Sequence, residues 1–247
     1  MTQKFVGYYR LLEALDKPGC PVCRCVAEDG RRNLTALLYE HVTDAETRRR
    51  LRAAWGLCNW HTWMLPTLGT ARVGAAILYE DLLRVCARRV SALGGRRQSR
   101  LGRFKRRWRL ATGSPPPAER PARRAACPVC TASRNSEGRY LETALDFIRD
   151  PEFAEAYGRS TGLCMPHVLR TLQDHGDGED RRRLLSATLG KWAGLGRQLE
   201  GFVRKHDYRN TEPVSDVESS ACTTAFEILA GAAGVFGNDL HTSRREE

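Results

Sequence analysis

No uninterrupted apolar run in these 247 residues approaches the ~20 needed to cross a bilayer, so no membrane span is expected. The first ten residues, Met1 to Arg10, lack the apolar core and small-residue cleavage site of a secretory signal. A cytoplasmic, reducing address is the expectation, and there nine cysteines are not a disulfide framework. Strand signals are missing as well. Apolar residues recur at helical spacing, and Asp29-Gly30 and Asp177-Gly178 have no alternating runs beside them to make hairpins. Catalytic motifs are equally scarce: the chain has no Gly-rich phosphate loop, nucleophile elbow or HExxH. Glu40, Glu80 and Glu142 sit among apolar helical residues and read as buried carboxylates, but no Glu-x-x-His pair accompanies them, which argues against a di-iron bundle site. With no nucleophile or base nominated, a noncatalytic role is expected.

What the chain does have is one phrase written twice. Cys20-Pro21-Val22-Cys23 leads to Gly56-Leu57-Cys58-Asn59-Trp60-His61, and Cys127-Pro128-Val129-Cys130 leads to Gly162-Leu163-Cys164-Met165-Pro166-His167. The second copy follows the first at an offset of 107, then 106, a register that points to internal duplication. Each phrase supplies three thiols and an imidazole, a closed tetrahedral set for zinc. Two residues between thiols let Cys20 and Cys23 wrap one side of an ion. Cys58 and His61, three apart, project from one helical face. Two zinc ions per chain are expected. An iron-sulfur cluster and a metal-free redox dithiol stay open, the first weakened by the histidine and the second by the absent βαβ setting. For pairing, ligands within one half close the shorter loop, so Cys20 and Cys23 are expected with Cys58 and His61, and Cys127 and Cys130 with Cys164 and His167. Cys25, Cys86 and Cys222 are left over and read as small buried hydrophobes, with Cys25 a spare ligand as alternative.

The rest of the pattern is an all-α, internally duplicated bundle with two CCCH-type zinc knuckles. A first half, 1–93, holds a short helix over about 5–16, stopped at Lys17-Pro18-Gly19, and a helix from Cys23 to about His41. A third opens on the capping box Thr43-Asp44-Ala45-Glu46, another begins near Asn59, and a long one over about 70–93 runs through Val73, Ile77, Leu78, Leu82 and Val85. The second half, 127–210, repeats this plan, with Tyr140, Leu141, Leu145 and Ile148 as an apolar face and a long helix over about 179–205. A C-terminal helix in 211–236 opens on Ser215-Asp216-Val217-Glu218 and packs on the bundle, and 237–247 is a flexible tail.

Between the halves, 94–126 is a basic Pro/Arg-rich linker. It carries eleven basic residues against Glu119 alone, so +10 of the net +11 sits there. Leu101, Phe104, Trp108 and Ala111 share a face if the segment is helical. Nucleic-acid binding through Arg103, Lys105, Arg106, Arg107, Trp108 and Arg109 is therefore one reading and a solvated linker the other. Lysine is scarce, five of the 40 basic residues, and this arginine bias weakens an argument from arginine number. His41, His175 and His241 have no partner at ligand spacing. Lys205-His206-Asp207-Tyr208-Arg209 reads as a helix end whose cations complement the dipole, or as a small anion or partner site.

The two CPVC and GLCxxH phrases, the Lys205-His206-Asp207-Tyr208-Arg209 cluster with Glu212-Pro213 after it, and the helix end Glu227-Ile228-Leu229-Ala230-Gly231 together resemble an uncharacterised bacterial family of unknown function. The resemblance spans most of the chain except the basic linker, and implies a bacterial cytosolic metal-binding protein with no activity to carry over. Ser220-Ala221-Cys222 departs from the more aromatic helix start expected there. Three functional readings follow: a noncatalytic zinc-stabilised binding or adaptor protein with a protein partner, a nucleic-acid binder using 94–126, and a thiol/zinc redox sensor or oxidoreductase.

Overall fold

The computed structural model describes residues 3–69, 72–95 and 124–236. The linker residues 96–123, with the six nucleic-acid candidates, lie outside them, as do His241 and the tail. Among the described residues there are ten α-helices, one 3-10 turn and no strand. They are α1 Val6–Leu15, α2 Pro21–Tyr39, α3 Ala45–Ala53, α4 Asn59–Met64 with a 3-10 turn Leu65–Thr67, and α5 Arg72–Gly95, then α6 Pro128–Phe147, α7 Pro151–Arg159, α8 Met165–Asp174, α9 Glu179–Lys205 and α10 Asp216–Ala230. No helix is long and apolar enough to cross a membrane among these residues.

Local chemistry accounts for the boundaries. The capping box expected on Thr43 and Glu46 does not form: Glu46 is taken by Arg49 and Arg50, and the N-cap is Asp44. Asp44 and Asp150 cap α3 and α7 alike: each carboxylate accepts from the backbone N–H three residues on, Thr47 and Phe153, from nearly identical backbone angles. Ser215 and Glu218 form a complete capping box on α10. α2 starts at Pro21, two residues before the sequence pattern suggests, because proline suits a first turn whose N–H is unbonded anyway. Gly56 and Gly162 both take φ near the left-handed region, 97° and 81°, which a side chain resists, and each turns the chain into a ligand-bearing helix.

The described chain folds as two compact units that do not follow its order. One takes the residues up to Gly30 and those from Ala132 onward; the other is Arg31–Thr131. In the first unit, Tyr8, Leu11 and Leu15 of α1 pack with Val22 and Val26 of α2, Leu141 and Phe147 of α6, and Phe153 and Tyr157 of α7. The Tyr8 hydroxyl donates toward Asp150 and Glu152 at 3.1 and 2.9 Å, tying α1 to the start of α7. In the second unit, Leu34 and Leu38 of α2 pack with Leu51, Leu57, Leu78, Leu82 and Val129.

The apolar residues that mark α5 divide, and two expectations, on the carboxylates and on the leftover thiols, need correcting. Val73 and Ile77 of α5 are exposed while Leu78 and Leu82 are buried. The reason is Gly74: a Cβ there would run into the Leu38 carbonyl, so α5 approaches α2 along 74, 78 and 82 and turns its neighbours outward. Glu40, Glu80 and Glu142 are exposed, and the buried carboxylates are Asp81 and Glu137. Of the leftover thiols Cys25 is buried, but Cys86 is half-buried and Cys222 exposed. The departure at Ser220-Ala221-Cys222 leaves α10 packed through Ala221 and Ile228.

Candidate metal centres

All eight ligands that the sequence singles out converge, but not in the grouping that short loops suggest. Cys20 and Cys23 meet Cys164 and His167, while Cys58 and His61 meet Cys127 and Cys130, each group within 4.8 Å. The expected pairing within a half is overturned. Two numbers explain why. Going from a separation of 35, Cys23 to Cys58, to one of 141, Cys23 to Cys164, is two doublings of loop length, about 1.2 kcal/mol. The other is helix length: α2 carries Cys23 at one end and Leu38 at the other, fifteen residues or roughly 22 Å apart at 1.5 Å each, and the segment bearing Cys58 packs near Leu38. A small entropy term cannot bend a rigid helix.

Each ligand pair is built the same way. The carbonyls of Cys20, Cys58, Cys127 and Cys164 accept the first helical hydrogen bonds, from Arg24, Thr62, Thr131 and Val168. All four are therefore N-caps, and Cys23, His61, Cys130 and His167 stand three residues on, at the third helical position. Cys-x-x-Cys and Cys-x-x-His are thus one structural unit, a helix N-terminus, and each cluster joins two of them. Unpaired N–H groups and positive dipole ends favour thiolate there. The His61 N–H donates to Cys58 Sγ at 3.5 Å.

In the first cluster His167 Nδ1 lies 3.3 Å from Cys20 Sγ, 3.6 Å from Cys23 Sγ and 3.1 Å from Cys164 Sγ, and Cys23 and Cys164 are 3.7 Å apart. In the second, His61 Nδ1 is 3.1 Å from Cys58 Sγ, 3.7 Å from Cys127 Sγ and 3.4 Å from Cys130 Sγ, with Cys58 and Cys130 3.4 Å apart. A zinc tetrahedron with its usual bond lengths has edges of about 3.8 Å between sulfurs and about 3.6 Å from sulfur to nitrogen. The clusters match that size, and every thiol is free of disulfides.

Electrostatics point the same way. Hydrogen bonds from Cys130 and Cys58 hold Cys127 far below the usual thiol range, and the Cys127 and Cys58 sulfurs push Cys130 far above it. Burial opposes charge on Cys20, yet Cys164, Cys23 and the His167 cation outweigh it, while Cys23 is pushed up by Cys164 and Cys20. Burial also opposes a charged imidazole, but the sulfurs of Cys127 and Cys58 lift His61 to about 9. Three sulfurs this close share ionisation only when protons or a cation sit among them, which is the potential a divalent metal exploits.

The surroundings of the two clusters differ. His167 Nε2 lies 3.2 Å from Glu137 Oε1, at an angle too bent for a well-formed hydrogen bond, and Glu137 is in turn paired with Arg170. Beside that pair lies a cavity of about 390 Å³ lined by Arg134, Arg139, Arg170 and His175. Cys23 Sγ accepts from the Ala232 N–H at 3.5 Å, and Phe236 stands edge-on to His167 at 5.2 Å. All four ligands of this cluster are buried. His61 Nε2, by contrast, is buried with no partner among the described residues, and Cys58 and Cys130 are partly exposed. Glu137, Ala232 and Phe236 were not legible as site residues, since their contact with the ligands depends on the crossed pairing.

Of the basic segment, Arg124 is described, and it is committed: its guanidinium donates to the carbonyls of Ala54 and Leu57, the latter at 2.9 Å, bracing the turn before Cys58. Lys205 and His206 end α9 as expected, with Lys205 paired to Glu218 at 2.8 Å.

An all-helical chain with two clusters of three cysteines and one histidine, each with the spacing of a metal-ligand set, is the class defined by this fold and site. A model of DUF6062, described as a family of unknown function, matches residues 10–232, and the chain belongs to that family. No curated protein and no solved structure matches it.

Proposed function

We propose that each cluster binds one zinc ion and that the protein is a noncatalytic, zinc-stabilised helical binding or adaptor protein. The observation that carries this reading is closure: four protein ligands surround each centre, leaving no position for water or substrate, which is the arrangement of structural zinc. Zinc supplies Lewis acidity and charge when bound; here that charge neutralises the thiolates and ties two helix starts together in each unit. The free thiols fit a reducing cytoplasm. The shared construction of the four ligand pairs supports reading the two phrases as copies of one ancestral unit. Native mass spectrometry with elemental analysis of untagged protein should find two zinc ions per chain. Iron with a visible thiolate-to-iron band, or a metal-free chain, would overturn the reading.

The charge of 94–126 favours a second partner, nucleic acid, with Arg103, Lys105, Arg106, Arg107 and Arg109 on phosphates and Trp108 stacking. Arg124, bound to two carbonyls, is not counted among them. Fluorescence anisotropy with a labelled oligonucleotide should show affinity falling steeply with salt and vanishing when 96–123 is deleted; a salt-insensitive or absent signal ends this reading.

A further inference from the structure

We infer that Cys58 and Cys130 form an oxidation site, which makes the second cluster a peroxide-sensitive metal centre beside a peroxide-resistant one. The inference rests on the zinc reading above and deepens it by separating the two sites. Three observations carry it. Cys58 and Cys130 are the two ligands of the eight that are not buried. Their sulfurs stand 3.4 Å apart, next to each other and without a disulfide. And neither imidazole Nε2 makes a hydrogen bond among the described residues, but Glu137 Oε1 lies 3.2 Å from His167 Nε2 while no such carboxylate pairs with His61 there.

The first cluster has the same donors in a sealed setting. Its four ligands are buried, the Ala232 N–H is directed at Cys23 Sγ, and the Phe236 ring stands against His167. An oxidant must reach a sulfur to react, so access and not ligand identity separates the sites.

The chemistry balances with hydrogen peroxide as oxidant. One thiolate, from Cys58 or Cys130, attacks peroxide; a sulfur-oxygen bond forms, the oxygen-oxygen bond breaks, and hydroxide leaves with the electron pair, giving a sulfenic acid. The neighbouring thiolate then attacks the sulfenyl sulfur; the sulfur-sulfur bond forms and a second hydroxide leaves. Two protons convert the hydroxides to water. The two thiolates have lost two electrons and the peroxide has gained them. Cys127 and His61 then remain as half a ligand set, too few to hold the ion. A dithiol reductant reverses the step.

The test uses the full chain as purified with zinc. Hydrogen peroxide is added in steps, released zinc is read with a chromophoric chelator, and disulfides are mapped by mass spectrometry. Half of the bound zinc should appear together with a Cys58–Cys130 disulfide, while Cys20, Cys23 and Cys164 stay reduced, and dithiothreitol should restore zinc uptake. Release of all zinc in one phase, no release, or a first disulfide inside the buried cluster would overturn the inference. The variant Phe236→Ala opens the sealed side: its remaining half of the zinc should become peroxide-labile, and unchanged resistance would refute sealing as the cause. A protein carrying no zinc as purified defeats the zinc reading and this inference with it; a two-zinc protein with no selective release defeats this inference alone.

Discussion

The two clusters carry the same four donors on helix starts built alike, yet one is buried at all four ligands and the other has two partly exposed cysteines. The repeat register locates the difference. At the offset of 107 that relates the first cysteine pairs, Glu137 corresponds to Gly30; at the offset of 106 that relates the second pairs, Arg170 corresponds to Met64. At the positions matched by these offsets the ion pair beside His167 thus falls on a glycine and a methionine, and His61 Nε2 makes no hydrogen bond among the described residues. Phe236 and Ala232 come from the segment after α10, which follows the second cysteine phrase. Ligand geometry repeats because helix capping is local. The surroundings differ because each is supplied by other parts of the chain.

Removing one ligand should show most sharply how separate the clusters are. Cys20→Ser should halve the metal content, since structural zinc is worth about 10–16 kcal/mol in apparent binding. Cysteine alkylation should then find Cys164 exposed and Cys58 still protected; the reverse pattern would restore pairing within a half. Glu137→Gln should weaken metal binding about 10-fold or more at the first cluster and leave the second untouched, read by chelator competition. Equal effects at both, or none, would remove the carboxylate from the comparison.

A smaller effect separates the two turn glycines. Gly162→Ala forces a side chain onto φ 81° and sets its Cβ 2.8 Å from Lys191 Cδ, whereas at Gly56 the nearest atom is Leu82 Cδ1 at 3.6 Å. Both substitutions should cost about 1–2 kcal/mol for the backbone in denaturant titration, with Gly162→Ala the larger. If Gly56→Ala costs more, crowding is not what distinguishes the turns. The smallest effect concerns α10, which leads into the segment that covers the first cluster. The Lys205 ammonium and the Ser215 N–H hold Glu218 down at about 2 against an ordinary 4.5. A depressed carboxylate contributes stability above 4.5 that disappears as pH falls through about 2. The stability difference between wild type and Glu218→Gln should therefore close over that window, and a difference flat with pH would remove the ion pair from the account.

Much of this architecture could be read directly from residue order. Helix starts at Asp150 and Ser215, the span of α9 and the identity of the eight ligands follow from short-range rules, because a cap or a turn involves residues three or four apart. Val73 and Ile77 mark α5 by their spacing, but that they are exposed is not legible in it. A helix face is set by where its partner approaches, and Gly74 lets the Leu38 carbonyl come closest.

By itself, then, the sequence determined what each ligand pair is: a cysteine capping a helix and a second donor one turn along, four times over. Only the tertiary structure decided which pairs meet, and with them which cluster is sealed. The physical reason lies in relative stiffness. Closing a longer loop costs about 1.2 kcal/mol over two doublings, while a continuous helix such as α2 keeps its ends apart whatever the loops prefer.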